Sequence, residues 1–191
     1  MDSSYLANPL VFLIQTLCGL FAVLVTLRFL LQLVGADFYN PLSQFVVKLT
    51  TPVLRPLRRV IPGYRGLDVA SLVLAWLTKS LEVFLVLLVA GGSVHLFGAL
   101  IWSIPELVAL FINIFLFAVL IRVILSWVNP DPFHPAITVL DRLTSPILKP
   151  AQRILPPIGG LDLSPMLVVI GLIVLEMLVL PPLKFLTGSP L

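Results

Sequence analysis

Glu82 and Glu176 each interrupt a run of aliphatic residues, and each follows an aspartate, Asp68 or Asp162, by 14 positions. Along a helix that spacing is ~20 Å. A carboxylate so placed faces hydrocarbon only at high cost, so it must be protonated, paired, or part of a polar path. Lys79 precedes Glu82 by one helical turn and can pair with it, whereas Ile173 stands at the same place before Glu176. Arg28 and Arg122 lie roughly 9 Å inside one end of their apolar runs, where arginines commonly snorkel toward the headgroups. On straight helices Arg28 and Glu82 differ in depth by ~10 Å, which argues against a direct bridge. These intramembrane polar candidates (Arg28, Lys79, Glu82, Arg122 and Glu176) admit two chemistries. One is an ion or proton path. The other is hydrogen bonding between packed helices, with Asn113 and Gln15 as available partners.

The remaining reactive side chains do not assemble a catalytic pattern. His95 and His134 are the only histidines, and neither has a cysteine or carboxylate at ligand spacing, so no metal site is expected. A single histidine can ligate haem, but nothing else in the chain points to one. Cys18 is the lone cysteine, which excludes a disulfide framework. No glycine-rich phosphate loop, nucleophile motif or paired catalytic acid is present. The chain reads as a non-enzyme without a cofactor.

What must position these groups is a set of membrane helices. Of 191 residues, 59% are hydrophobic and only 11% charged, with a mean hydropathy of +1.12. An average soluble domain has roughly 25% charged residues, so this chain lacks the polar surface to cover a soluble fold and reads as an all-α integral membrane protein. The first five residues lack the basic region of a signal peptide, and the apolar stretch that follows, about 25 residues, exceeds a signal-peptide core; no cleavage is expected. Four stretches, 9–34, 69–90, 105–128 and 164–186, are long enough to cross the bilayer. Long joints, 35–68 and 129–163, connect the members of each pair, and the short uncharged joint 91–104 links the pairs.

Basic residues orient the spans. The first long joint carries Lys48, Arg55, Arg58, Arg59 and Arg65, and the second carries Arg142, Lys149 and Arg153. The middle joint and the N-terminus carry none, and the C-terminal end has only Lys184. The positive-inside rule places both long joints in the cytoplasm and both termini outside. The same residues explain the sequence pI of 9.4 without a nucleic-acid patch, for which there is no soluble domain.

The chain also repeats itself at an offset of 94 residues. Matched pairs include Arg28/Arg122, Asp37/Asp131, Pro41/Pro135, Thr50/Thr144, Pro52/Pro146, Pro56/Pro150, Arg59/Arg153, Pro62/Pro156, Gly66/Gly160, Asp68/Asp162 and Glu82/Glu176. Apolar matches drift freely in lipid-facing sequence. Matched prolines, glycines and charges set backbone angles and place charge, so they mark a true repeat. Residues 1–96 form the first unit and 97–191 the second, each a helical hairpin, and the two hairpins are parallel repeats about an axis along the membrane normal.

Each long joint alternates polar and apolar positions in steps of three and four. Gln44, Lys48, Thr51, Arg55, Arg58 and Arg59 oppose Leu42, Phe45, Val46, Leu49, Val53 and Leu57; the second joint does the same around Arg142, Lys149 and Arg153. Thr51-Pro52 and Ser145-Pro146 read as a break followed by a new helix start, with Pro56 and Pro150 limiting its length. Each joint is therefore expected as two short interfacial helices with an elbow, apolar side in lipid and basic side at anionic headgroups. Asp68 and Asp162 suit N-caps, and Gly66 and Gly160 allow the tight turns before them.

The pattern Asn40-Pro41…Thr51-Pro52-Val53-Leu54-Arg55-Pro56…Arg59-Val60-Ile61-Pro62…Gly66-Leu67-Asp68, with a second copy ending Pro156-Pro157-Ile158-Gly159-Gly160-Leu161-Asp162, resembles the YggT family, known as YlmG in Gram-positive bacteria and chloroplasts. The resemblance spans nearly the whole chain and matches the two-unit form. It implies a bacterial inner-membrane protein linked to osmotic-stress tolerance, potassium uptake, cell division or envelope organisation, and in plastids to cytochrome assembly or nucleoid distribution. It implies no catalytic residues. The second copy departs from the first at His134, Asp141 and Pro157, so the two joints need not bind the same partner.

Two function classes remain. In one, the chain is a non-enzymatic membrane organiser or assembly factor whose basic joints dock on anionic lipid and on another membrane protein. In the other, it is a small channel or transporter component with the intramembrane charges lining its path. Reporter fusions at Leu191 and within 91–95 should read outside, and fusions near Arg59 or Arg153 inside; an N-in, C-in result would reverse the orientation.

Overall fold

The computed structural model describes residues 4–64, 66–91, 95–128, 134–155 and 162–189. Its elements are six helices: α1 (Ser4–Leu33), α2 (Pro41–Val60), α3 (Val69–Val89), α4 (Leu96–Val128), α5 (Pro135–Ile154) and α6 (Ser164–Thr187). No strand forms among the described residues. Four of the helices, α1, α3, α4 and α6, are long and apolar enough to cross a membrane, and the chain is a multi-pass membrane protein. The spans α1, α4 and α6 are apolar all the way round, as helices solvated by hydrocarbon are.

The joint helices differ in kind. Each is 20 residues long and sharply two-faced. Each starts the same way. The Asn40 side chain accepts the Leu42 N–H (2.9 Å), the His134 Nδ1 accepts the Ala136 N–H (3.2 Å), and a proline, Pro41 or Pro135, occupies the first turn, where its missing donor is harmless.

The expected breaks at Thr51-Pro52 and Ser145-Pro146 are absent. Both joint helices run straight through their two internal prolines. Pro52 and Pro56 lie one turn apart, as do Pro146 and Pro150, so the missing donors of each helix fall on one exposed side, where solvent or headgroups can reach the freed carbonyls. Adjacent turns are reinforced from side chains. The Thr50 and Thr51 hydroxyls donate to the Val46 and Val47 carbonyls, and Thr144 donates to the Leu140 carbonyl. The third span also departs from expectation. It begins at Leu96 rather than 105, with Pro105 buried inside the helix at the loss of a single backbone bond.

Between α2 and α3 the chain closes a tight turn in which Tyr64 and Leu67 exchange backbone hydrogen bonds (3.2 and 2.9 Å). Gly66 sits there at φ 83°, a conformation open to glycine and strained for other residues. Its counterpart Gly160 lies outside the described residues, as do Arg65, Asp131, Pro156 and Pro157.

Packing joins all six helices. One buried cluster takes Val25 from α1, Leu54 from α2, and Ala70, Leu74 and Ala75 from α3. Another takes Leu30 from α1, Ile114 and Ala118 from α4, and Leu143 from α5, with Phe29 and Phe111 meeting edge to face at 5.9 Å. Burying apolar surface from lipid gains little, so close approach and polar contacts between helices carry more of the association, at roughly 0.6 kcal/mol per hydrogen bond. Among the described residues, three such bonds cross between units. Trp76 Nε1 donates to the Leu100 carbonyl (3.0 Å), Ser80 and Ser103 share a hydroxyl bond (2.7 Å), and Asn40 Nδ2 donates to the Pro135 carbonyl (2.9 Å). Beside the last of these, α1, α2, α4 and α5 enclose an apolar cleft of about 650 Å³.

Candidate functional site

Arg28 is only 5% exposed and turns onto α2 instead of reaching along its own helix to the surface. Its Nη1 donates to the Val47 carbonyl (3.1 Å), to Thr50 Oγ1 (2.7 Å) and to Thr51 Oγ1 (3.0 Å). Its Nε stands 4.0 Å from the Asp68 carboxylate. Asp68 in turn caps α3 by accepting the Ser71 N–H (3.3 Å), and it also accepts hydrogen bonds from the Ser71 hydroxyl and from Arg58 on α2. Burial disfavours the ionised Asp68. The hydrogen bonds from Arg58 and Ser71, together with the Arg58 charge, outweigh that and hold its carboxyl below the usual carboxylate range. One buried guanidinium and one buried carboxylate thus clamp α1, α2 and α3 together.

The second unit builds a looser version at the same register. Arg122 Nε lies 2.7 Å from Asp141 Oδ1, and Asp141 occupies the position that Val47 holds in the first unit. Both arginines therefore reach the same point of the joint helix, one finding a backbone carbonyl and the other a carboxylate. The Arg122–Asp141 pair is partly exposed, which limits its contribution to stability. Gln152, at the position of Arg58, donates to Asp162 (3.0 Å).

Asp162 does not occupy the cap position of α6; Leu163 does, and Asp162 precedes it. The cause is Pro165. It stands where Ser71 stands in the first unit and has no N–H to offer, so Asp162 accepts the Ser164 N–H instead (2.9 Å). Hydrogen bonding from Ser164 outweighs desolvation and, with Gln152, also holds the Asp162 carboxyl low.

The other basic residues of the joints, Lys48, Arg55, Arg59, Arg142, Lys149 and Arg153, are exposed. Exposed beside them on α2 are Leu42, Phe45, Leu49, Val53 and Val60. The face of α2 turned to the spans is made instead by Ser43, Val46, Thr50 and Leu54. The helix thus has a packed side and, apart from it, an uncovered surface that is both apolar and basic.

A second polar constellation joins α3, α4 and α6. Lys79 Nζ donates to both carboxylate oxygens of Glu82 (2.9 and 3.0 Å), with both side chains about nine-tenths buried. Lys184 lies 3.6 Å from Glu106, and Glu106 is near enough to Glu82 to act on it electrostatically. Sequence reasoning overlooked Glu106 and used Lys184 only to orient the spans. The available signal was an acid on one span and a base on another, near ends that four crossings bring to the same membrane side. Glu176 makes no hydrogen bond or ion pair among the described residues, and Asn113 Nδ2 bonds the Ala109 carbonyl of its own helix (2.9 Å). No group of three or more metal-ligating side chains occurs among the described residues.

Comparison with known proteins finds two copies of one family unit in the sequence. The CCB3/YggT family profile matches residues 7–89 and again 101–183, the offset at which the sequence repeats. An uncharacterised protein of Pseudomonas aeruginosa is 47% identical over 182 residues, covering 94% of this chain and 92% of the relative. The uncharacterised protein YggT of Escherichia coli K12 is 40% identical over 172 residues, covering 89% of this chain and 88% of the relative. The uncharacterised protein ycf19 of Guillardia theta is 40% identical over 67 residues, 35% of this chain but 70% of the relative. No solved structure matches.

Two outcomes follow for the purified protein. Glu82→Leu strands Lys79, and an uncompensated buried charge costs up to about 3–5 kcal/mol. Its thermal midpoint in detergent should fall further than that of Glu176→Leu, with Lys79→Ile restoring part of the loss; equal damage without rescue would separate Lys79 from Glu82. Asp68, with its lowered carboxyl, contributes stability that is complete above the unfolded value of about 3.9 and lost as pH falls through the folded value. Melts between about pH 7 and 3 should show the wild type weakening in acid and Asp68→Asn giving a lower, flatter profile. Parallel profiles would remove Asp68 from the clamp.

Proposed function

We propose that this chain, which belongs to the CCB3/YggT family, is a non-enzymatic organiser of the bacterial inner membrane, built as two parallel-repeat hairpins with both termini outside. In this reading α2 and α5 lie along the cytoplasmic face, dock on anionic headgroups, and hold a membrane or membrane-associated partner in register with the spans. The work served is envelope organisation of the kind needed in osmotic stress or division.

One observation carries the reading. α2 is held to its spans by a buried ionic clamp while Phe45, Leu49 and Val53 stay uncovered beside Lys48, Arg55 and Arg59. A loop whose only task was to connect two spans would need neither the clamp nor an apolar, basic surface facing away from it. The rival reading, a channel or transporter component for ions such as potassium, draws on Lys79, Glu82, Glu106 and Lys184. Those charges alternate and balance, which suits cement between α3, α4 and α6 better than a conducting path.

The joint should bind anionic membranes by charge. A peptide covering Pro41–Pro62 carries Lys48, Arg55, Arg58 and Arg59 and no acidic residue, and each base is worth roughly 1 kcal/mol near an anionic surface. Its binding to anionic vesicles should weaken sharply with salt, and equal binding to neutral vesicles would overturn the docking. Photoreactive groups at Phe45, Leu49 and Val53 of the intact protein would then identify the partner.

A further inference from the structure

Where α2 crosses the end of α1, the two helices leave a cavity of about 380 Å³. Arg28, Lys48 and Arg58 line it with positive charge, and Gln32 and Gln44 with amides; no carboxylate lines it. Of the acids of this joint, Asp68 is occupied by Arg58 and Ser71, and Asp37, next to the lining Phe38, accepts the Tyr39 N–H (2.8 Å). Arg28 is fixed in place. Its Nη1 is held by Thr50, Thr51 and the Val47 carbonyl, while its Nη2 has no partner among the described residues. The amides are fixed as well, Gln32 to the Gly66 carbonyl (3.0 Å) and Gln44 to the Tyr39 carbonyl (3.3 Å), and each amide nitrogen keeps a further hydrogen to donate. A pocket with surplus positive charge and unspent donors suits an anion with several acceptor oxygens, and arginine and lysine together are the usual holders of phosphate. Its volume, within the small-ligand range of roughly 300–1000 Å³, fits a phosphate ester rather than a bare halide.

The second unit supplies an internal contrast. At the position of Val47 it carries Asp141, which takes Arg122 at 2.7 Å, and at the position of Arg58 it carries Gln152. There the arginine brings its own counter-charge and the surplus is gone. In the first unit the equivalent charge is left to a ligand.

We propose that the cavity between α1 and α2 of the first unit is a phosphate site that takes the phosphodiester of an anionic phospholipid or a free phosphate, and that the second unit has lost it to Asp141. The docking reading above supplies only the cavity's position at headgroup depth.

The test uses the full chain in a neutral detergent, titrated with dihexanoyl phosphatidylglycerol, with dihexanoylglycerol lacking the phosphate, and with inorganic phosphate. Val47→Asp copies the second unit, Lys48→Gln removes an exposed cation, and Lys184→Gln and Glu176→Gln, outside both the cavity and the basic joints, serve as controls. Phosphatidylglycerol should bind the wild type, and its Kd should rise roughly ten- to a hundredfold in Val47→Asp and Lys48→Gln, the loss of one charge-assisted contact. The controls should stay within about twofold, the scatter expected of distant, independent sites, and dihexanoylglycerol should not bind. Tighter binding of inorganic phosphate with the same dependence on variants would assign the site to soluble phosphate. If Val47→Asp fails to fold, Lys48→Gln decides alone. Absence of binding, insensitivity to both variants, or an equal loss in Lys184→Gln would overturn the site. Normal cavity binding with no salt-sensitive vesicle association would overturn the docking reading alone.

Discussion

Everything on the first unit's joint depends on the buried Asp68, which faces the buried Arg28 on one side and the part-exposed Arg58 on the other. A single carboxylate begins α3, fixes α2 through Arg58, and balances a guanidinium that α1 carries below the surface. Breaking a buried pair by removing one partner costs about 3–5 kcal/mol, because the survivor is left charged and alone. Such a contact is therefore less a source of net stability than a constraint on arrangement. It allows one register of α2 across the spans, and the cavity, the exposed stripe and the contact with α5 all inherit that register.

Much of this was legible from spacing. The four apolar crossings, the two-faced joints and the repeat offset follow from periodicity and from prolines, glycines and charges that recur together. Proline was the main source of error, in opposite directions. Pro52 and Pro146 read as breaks, yet paired prolines one turn apart concentrate their damage on one exposed side and leave the helix intact. Pro105 read as a helix start, yet it lies inside α4. Pro165 exerted an influence that reading by type missed, moving Asp162 out of the cap position by removing the N–H it would have accepted.

Contacts distant in sequence were beyond reach for a different reason. Arg28 has its partners on α2 and at the start of α3, and Glu106 meets Lys184 near the opposite end of the chain. Depth along straight helices could argue against Arg28 meeting Glu82, but it could not say which neighbour would receive the guanidinium instead. That requires knowing that α2 folds back across the ends of both spans. The repeat held a clue after the fact. Val47 and Asp141 differ in chemistry, and both turn out to be where an arginine of the preceding span arrives.

The divergence at that position makes the two halves electrically unequal. α2 carries Lys48, Arg55, Arg58 and Arg59 without an acid, while α5 carries Arg142, Lys149 and Arg153 together with Asp141. Because both joint helices begin beside each other, at Asn40 and His134, the inequality runs sideways, in the plane of the bilayer and not across it. The molecule is then a lateral dipole. The field at the joint end of the molecule is stronger along one flank than along the other, and neighbouring copies would feel a torque that sets their headings relative to each other as well as their spacing.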